Sequence, residues 1–190
     1  MERVFIIEKV FNKVDFTQNK LPKGEYERCK FINCDFSNSD IADVRLMECE
    51  FESCNLSMAK LTRTALQEIK FSNCKMLGLH FENCNDFGFA ISLDNCNLNH
   101  SSFYKMKLKK IVFKNLKLQE VDFAECDLTS SVFDNCDLTR AAFDNTIIEK
   151  ADFRTSYNYS INPETNRIKK AKFSVNGLAG LLDKYDIEIE

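Results

Sequence analysis

Nine cysteines and two histidines are the side chains of this chain best suited to metal or redox chemistry. Zinc is held by closely spaced thiolate pairs, and a catalytic cysteine needs an exposed thiol with a lowered pKa beside a base. The spacing shows neither. Cys29, Cys34, Cys49, Cys54, Cys74, Cys84, Cys96, Cys126 and Cys136 stand five residues apart or a multiple of five, with one offset of two between Cys84 and Cys96. An odd number of thiols also fits a disulfide framework poorly. Cysteine often serves as a small buried hydrophobe, and a fixed period asks for that role. The glycines are isolated and form no phosphate-cradling motif, so neither a cofactor nor a metal is expected.

The elements that would hold these residues follow from the same period. Large apolar residues recur every fifth position from Phe11 to Phe81, and again from Leu93 to Phe153 after a slip of two. Fourteen of the seventeen phenylalanines fall on this series once Phe173 is included. With the large residue called i, every cysteine occupies i−2, beside Ser39, Val44, Ala59, Thr64, Ser101, Val121, Ala141 and Ala151 at the same position of other quintets. Extended residues two apart share a face, so i−2 and i point inward and the mostly polar i−1 points out. An odd period would invert the buried face of a straight strand. The chain must therefore turn a corner in each quintet, at i+1 and i+2.

A longer period of twenty runs through Phe11, Phe31, Phe51, Phe71, Leu93, Phe113, Phe133 and Phe153, counting the slip. Four sides thus complete one coil, and equivalent residues stack. Asn33, Asn73, Asn95, Asn115 and Asn135 share an i+2 corner and predict an amide ladder. Gly88 suits a bulge at the slip, residues 85–90. Residues 1–10 read as an N-terminal cap strand, and 156–167, with Pro163, as an irregular coil that ends the repeat domain at residue 173. Residues 174–190 read as a capping or dimerisation helix and tail. Leu178, Leu181, Leu182 and Tyr185 would share one face of a short α-helix, and Ile187 and Ile189 would alternate with acids in a terminal strand.

Composition narrows the function classes. There are 26 Lys and Arg against 29 Asp and Glu, a formal charge of −3, which gives no general pull toward nucleic acid or an anionic membrane. Lys105, Lys107, Lys109 and Lys110, with Lys114 and Lys117, could contact phosphates, but read first as the solvated exterior of one coil, offset by Asp122, Glu125 and Asp127. His80 and His100 fall at outward or corner positions, away from the inward thiols. The apolar runs are too short for a signal-peptide core or a membrane span, so a soluble cytoplasmic protein with reduced thiols is expected.

Quintets such as Cys34-Asp-Phe-Ser-Asn38, Cys126-Asp-Leu-Thr-Ser130 and Ala151-Asp-Phe-Arg-Thr155 resemble the pentapeptide repeat family. That resemblance implies an all-β solenoid, a right-handed quadrilateral β-helix of about eight four-sided coils with a short C-terminal α-helix. The mid-chain slip, the Ile161-Asn-Pro-Glu-Thr-Asn-Arg-Ile168 segment and the Leu-rich tail are similar to the gyrase-protecting branch, the quinolone-resistance (Qnr) group and the microcin B17 immunity protein. This branch implies a non-enzymatic homodimer, joined through its C-terminal ends, that binds DNA gyrase or another topoisomerase and relieves poisoned cleavage complexes by DNA mimicry. The expected interface or cap is Leu178, Leu181, Leu182, Tyr185, Ile187 and Ile189. A protein-interaction scaffold with no topoisomerase role is the alternative.

Overall fold

The corner required in each quintet is built by a residue in left-handed backbone conformation at i+2. Asn33, Asn38, Asp43, Glu48, Ser53, Met58, Arg63 and Glu68 follow one another at φ between 51° and 61° in the computed structural model, which describes residues 4–188. Asn115, Glu120, Glu125, Ser130, Asn135, Arg140, Asn145 and Lys150 repeat the pattern. None of these is glycine, and αL geometry costs an L-residue roughly 1–2 kcal/mol. Closing the coil offsets that cost, because each turn brings backbone groups within bonding distance of the next coil.

The chain divides into two compact units, Met1–Leu98 and Asn99–Glu190. Unit 1 contains two parallel sheets. In one, β1 (Val4–Ile7), β3 (Gly24–Glu27), β5 (Arg45–Met47) and β7 (Ala65–Gln67) lie side by side. In the other, the order is β2 (Val10–Asn12), β4 (Lys30–Ile32), β6 (Glu50–Glu52), β8 (Ile69–Ser72) and β9 (Ile91–Asp94). Partners are twenty residues apart, as in Phe31↔Phe51, except across the slip, where Phe71 faces Leu93. The remaining two sides join coil to coil through single parallel bridges such as Asp35↔Asn55 and Asp40↔Lys60. Unit 2 follows the same plan, with β10 (Val112–Lys114) paired to β11 (Val132–Asp134) and bridges such as Asp122↔Ala142 and Asp127↔Ile147. The fold is a parallel β-solenoid of about seven turns with very little helix.

The bore of each unit is filled as the period requires. Phe31, Phe36, Leu46, Phe51, Leu56, Leu66 and Phe81 are buried in unit 1, and Phe103, Phe113, Phe123, Leu128, Phe133 and Phe153 in unit 2. Rings of successive coils stack at the strand spacing: Phe31 on Phe51 at 4.6 Å, and Phe113 on Phe133 at 4.7 Å. Rings on adjacent sides meet edge to face, as Phe123 and Phe133 do at 5.8 Å and 89°. Such pairs add about 0.5–1.5 kcal/mol each beyond area burial.

Two details differ from the sequence reading. Val4–Ile7 is a full side of the first coil, with Ile6 in register with Tyr26, so the repeat begins one quintet before Phe11. The C-terminal helix is not α-helical: Val175–Leu181 and Asp183–Tyr185 are 3₁₀ segments. Gly177 and Gly180 explain the difference. A Cβ on Gly177 would lie 1.9 Å from the Tyr159 hydroxyl, and one on Gly180 would lie 2.0 Å from the Tyr159 carbonyl oxygen. A three-residue turn sets the two glycines directly in line, both against Tyr159.

Candidate interaction surfaces

Eight of the nine cysteines are buried, and Cys84 is half-buried. Burial pushes the Cys49, Cys84 and Cys136 thiols up to about 12, so they remain protonated at neutral pH. Their position has a further structural use. Cys54 Sγ donates to the Phe31 carbonyl at 3.2 Å, and Cys49 Sγ to that of Tyr26 at 3.3 Å. Thr64, Thr146 and Ser156 make the same contact, to Ile41 at 2.8 Å, Phe123 at 2.9 Å and Phe133 at 2.7 Å. The i−2 position therefore holds a small side chain that can also satisfy the carbonyl of a residue i in the preceding coil. Sequence reading saw the size requirement and missed the donor, whose only signal was the company of Ser and Thr with Cys at this position.

The outward aspartates have a structural role as well. Asp35 Oδ1 accepts the Ser37 amide at 2.8 Å, Asp40 that of Ala42 at 3.0 Å and Asp122 that of Ala124 at 2.8 Å. Each carboxylate thus fastens the start of the corner that follows it. These bonds lower the Asp40 pKa, led by the Ala42 amide, and that of Asp152, led by the Arg154 guanidinium. The amide ladder forms in part: Asn95 donates to Asn73 at 2.7 Å and Asn135 to Asn115 at 2.9 Å. His80 lies 2.9 Å from Glu82 and His100 lies 3.2 Å from Glu120, both on the exterior.

Several outward charges stack on a neighbour of opposite sign in the adjacent coil. Arg45 meets Glu25 at 3.0 Å, Arg63 meets Asp43 at 2.7 Å, and Lys30 and Lys70 flank Glu50 at 2.9 and 3.2 Å. Lys105 contacts Glu125 at 3.4 Å and Lys109 contacts Asp127 at 3.1 Å, as their sequence neighbours implied. The Tyr26 side of unit 1 departs from neutrality, with Glu8, Glu25, Glu27, Glu48 and Glu68 against Arg28 and Arg45.

The predicted interface residues are separated by the 3₁₀ geometry. Leu178 shares a face with Val175 and Leu181, while Leu182 falls 120° away in line with Ala179. Val175, Leu178, Tyr185 and Ile187 are exposed by 84, 45, 52 and 56 %, and Leu181 and Leu182 are half-buried. Ile187 follows Asp186, which has a left-handed φ of 50°, and lies in irregular backbone rather than a strand. Ile189 lies outside the described residues. The segment is tied down by Ser174, whose Oγ accepts the Gly177 amide at 3.1 Å, and by the Gly180 carbonyl, which accepts the Ile161 amide at 2.8 Å. Tyr185 donates to Glu164 at 3.0 Å, and Lys184 pairs with the same carboxylate.

The quintet, its left-handed corner and its inward i−2 and i positions recur, apart from the slip, through residues 24–87 and 89–158, which match the pentapeptide repeat region family. The chain belongs to that family. No curated protein matches this pentapeptide repeat chain. Among solved structures it is similar to a trypsin-treated variant of QnrB1, a plasmid-mediated fluoroquinolone resistance protein. The TM-score is 0.63 at 16 % identity, over 97 % of this chain and 99 % of that one. A second trypsin-treated QnrB1 variant gives 0.62 at 16 %, over 96 % and 99 %. HetL, involved in heterocyst differentiation regulation in the cyanobacterium Nostoc sp. strain PCC 7120, gives 0.49 at 14 %, over 90 % and 89 %. At 16 % identity the likeness to the two QnrB1 variants is one of fold.

Proposed function

We propose that this pentapeptide repeat protein is a non-enzymatic, cytoplasmic interaction protein that pairs as a homodimer through its C-terminal segment. The observation carrying this reading is the asymmetry of that segment. Its glycine face docks on Tyr159, while Val175, Leu178, Tyr185 and Ile187 are left exposed beside one another in the chain. Exposed apolar side chains concentrated in one terminal segment suit a two-fold contact between copies.

The partner we propose is DNA gyrase or a related topoisomerase, in keeping with the sequence resemblance to the gyrase-protecting branch. The Tyr26 side of unit 1, with five glutamates against two arginines, would supply the DNA-like charge. The test is gyrase supercoiling and fluoroquinolone-stabilised cleavage, measured with purified protein added. Relief of drug-stabilised cleavage or inhibition of supercoiling is expected; no effect at a large molar excess over gyrase rejects the topoisomerase reading. A scaffold with another protein partner is the second reading. It is favoured by the ion pairs between coils, which neutralise much of the exterior that mimicry would need to be negative.

A further inference from the structure

Unit 2 carries 14 Lys and Arg and 14 Asp and Glu, yet its charge is not evenly spread. The side built on Leu108, Leu128, Ile148 and Ile168 exposes Lys107, Lys110, Lys150, Lys169 and Lys170, and among the described residues no acid forms an ion pair with any of them. Two further cations on this side are engaged, Lys109 by Asp127 at 3.1 Å and Arg167 by Glu149 at 2.8 Å.

This arrangement breaks the rule followed by ion pairs elsewhere on the exterior. Arg63 and Asp43, or Lys105 and Glu125, are twenty residues apart, stack on adjacent coils and carry opposite sign. Lys150 and Lys170 are also twenty apart and share an i+2 corner, but both are positive. Their coils are adjacent, since the Lys150 amide donates to the Lys169 carbonyl at 3.0 Å. Lys110 and Ser130 occupy the preceding corners of the same column. The column therefore presents cations with no acid among them, at roughly the 4.8 Å pitch of the coils. Such a column is relieved of its self-repulsion only by an external anion or by salt.

We infer that this side of unit 2 binds the sugar–phosphate backbone of duplex nucleic acid without reading its sequence. The outward residues include no aromatic ring, so the side offers no platform for stacking unpaired bases. Its regular corners present no helix or β-ribbon that could enter a groove to read base edges. Lysine contacts phosphate as a point charge, whereas planar carboxylate recognition favours the arginine fork. The single arginine here already holds Glu149, which favours phosphates over an acidic protein segment. The overall balance of acids and bases concealed this segregation, which sets the side apart from the general lack of attraction expected of the whole chain.

The test is fluorescence anisotropy of a labelled mixed-sequence 30-base-pair DNA with the full chain at 50 and 200 mM KCl. Binding is expected at the lower salt, weakening by up to about 500-fold at the higher if all five free lysines meet phosphates. Lys150→Gln with Lys170→Gln should weaken binding at least tenfold at 50 mM and reduce the salt slope by about 2. Lys110→Gln alone should reduce it by about 1. Lys30→Gln with Lys70→Gln, on unit 1, should leave binding unchanged. Melting curves of all variants should match the parent. Absence of binding at 50 mM KCl would overturn the inference. So would binding that is indifferent to the Lys150 and Lys170 changes, or tighter binding of a polyglutamate peptide than of DNA of equal charge.

Discussion

At the scale of single residues, two small groups hold the corners. The i−2 hydroxyl or thiol satisfies a carbonyl in the preceding coil, and the i−1 carboxylate binds the amide two residues on. Thr64→Val keeps the shape but removes the shorter of two bonds to the Ile41 carbonyl, at 2.8 Å, leaving only the Val44 amide at 3.3 Å. We expect a loss of about 1–2 kcal/mol in urea unfolding. A cost within error of zero would mean that water or backbone adjustment serves the carbonyl instead. The aspartates predict an acid limit. The Asp40 and Asp152 pKa values are lowered in the fold, so their stabilisation is present above the unfolded value of about 3.9 and is lost as pH falls through the folded values. The melting temperature should therefore hold from pH 7 to about pH 5 and decline below about pH 4. Asp40→Asn with Asp152→Asn should flatten that decline. The inward cysteines were legible in the sequence because size and period alone place them. Their donor role was not, since Ala59, Ala141 and Val44 fill the same position without one.

Among the elements, the left-handed corner is the feature most open to improvement. Glu68 sits at φ 56° one coil above Glu48, so it carries both backbone strain and a like-charged neighbour. Asparagine tolerates αL through its short polar side chain, and Glu68→Asn should stabilise the fold by about 0.5–1 kcal/mol. An unchanged or lower urea midpoint would contradict this account of the corner. The C-terminal 3₁₀ segment is governed by contact rather than propensity. Gly180→Ala places a methyl against the Tyr159 backbone and should cost about 1–3 kcal/mol, with faster amide exchange at Ile161. The existence of a helical element at Val175–Leu181 could be read from its apolar spacing. Its pitch could not, because the deciding partner, Tyr159, is sixteen or more residues away and lies in the irregular coil.

For the molecule as a whole, the five-residue and twenty-residue periods were enough to give the solenoid, its buried residues and the site of the slip. At the slip, Gly88 adopts φ 69° and Phe87 is turned outward. Surface properties were less legible, since they depend on which outward residues fall on one side of one unit. The association proposed for the C-terminal segment belongs to this scale. Leu178→Asp alters an exposed side chain and should convert a dimer to a monomer by light scattering, with little change in the monomer's melting curve. A monomeric parent protein, or a variant with unaltered mass, would remove the segment from the interface.

The corner residue has one more implication. Since i+2 is chosen for a backbone angle and its side chain leaves the barrel wall at once, Met58, Arg63, Ser130 and Lys150 can all occupy it. The exterior can thus be redrawn one coil at a time without disturbing the stacked rings within. A designer could graft a new row of contacts along a chosen flank by editing every twentieth position and leaving the interior alphabet untouched.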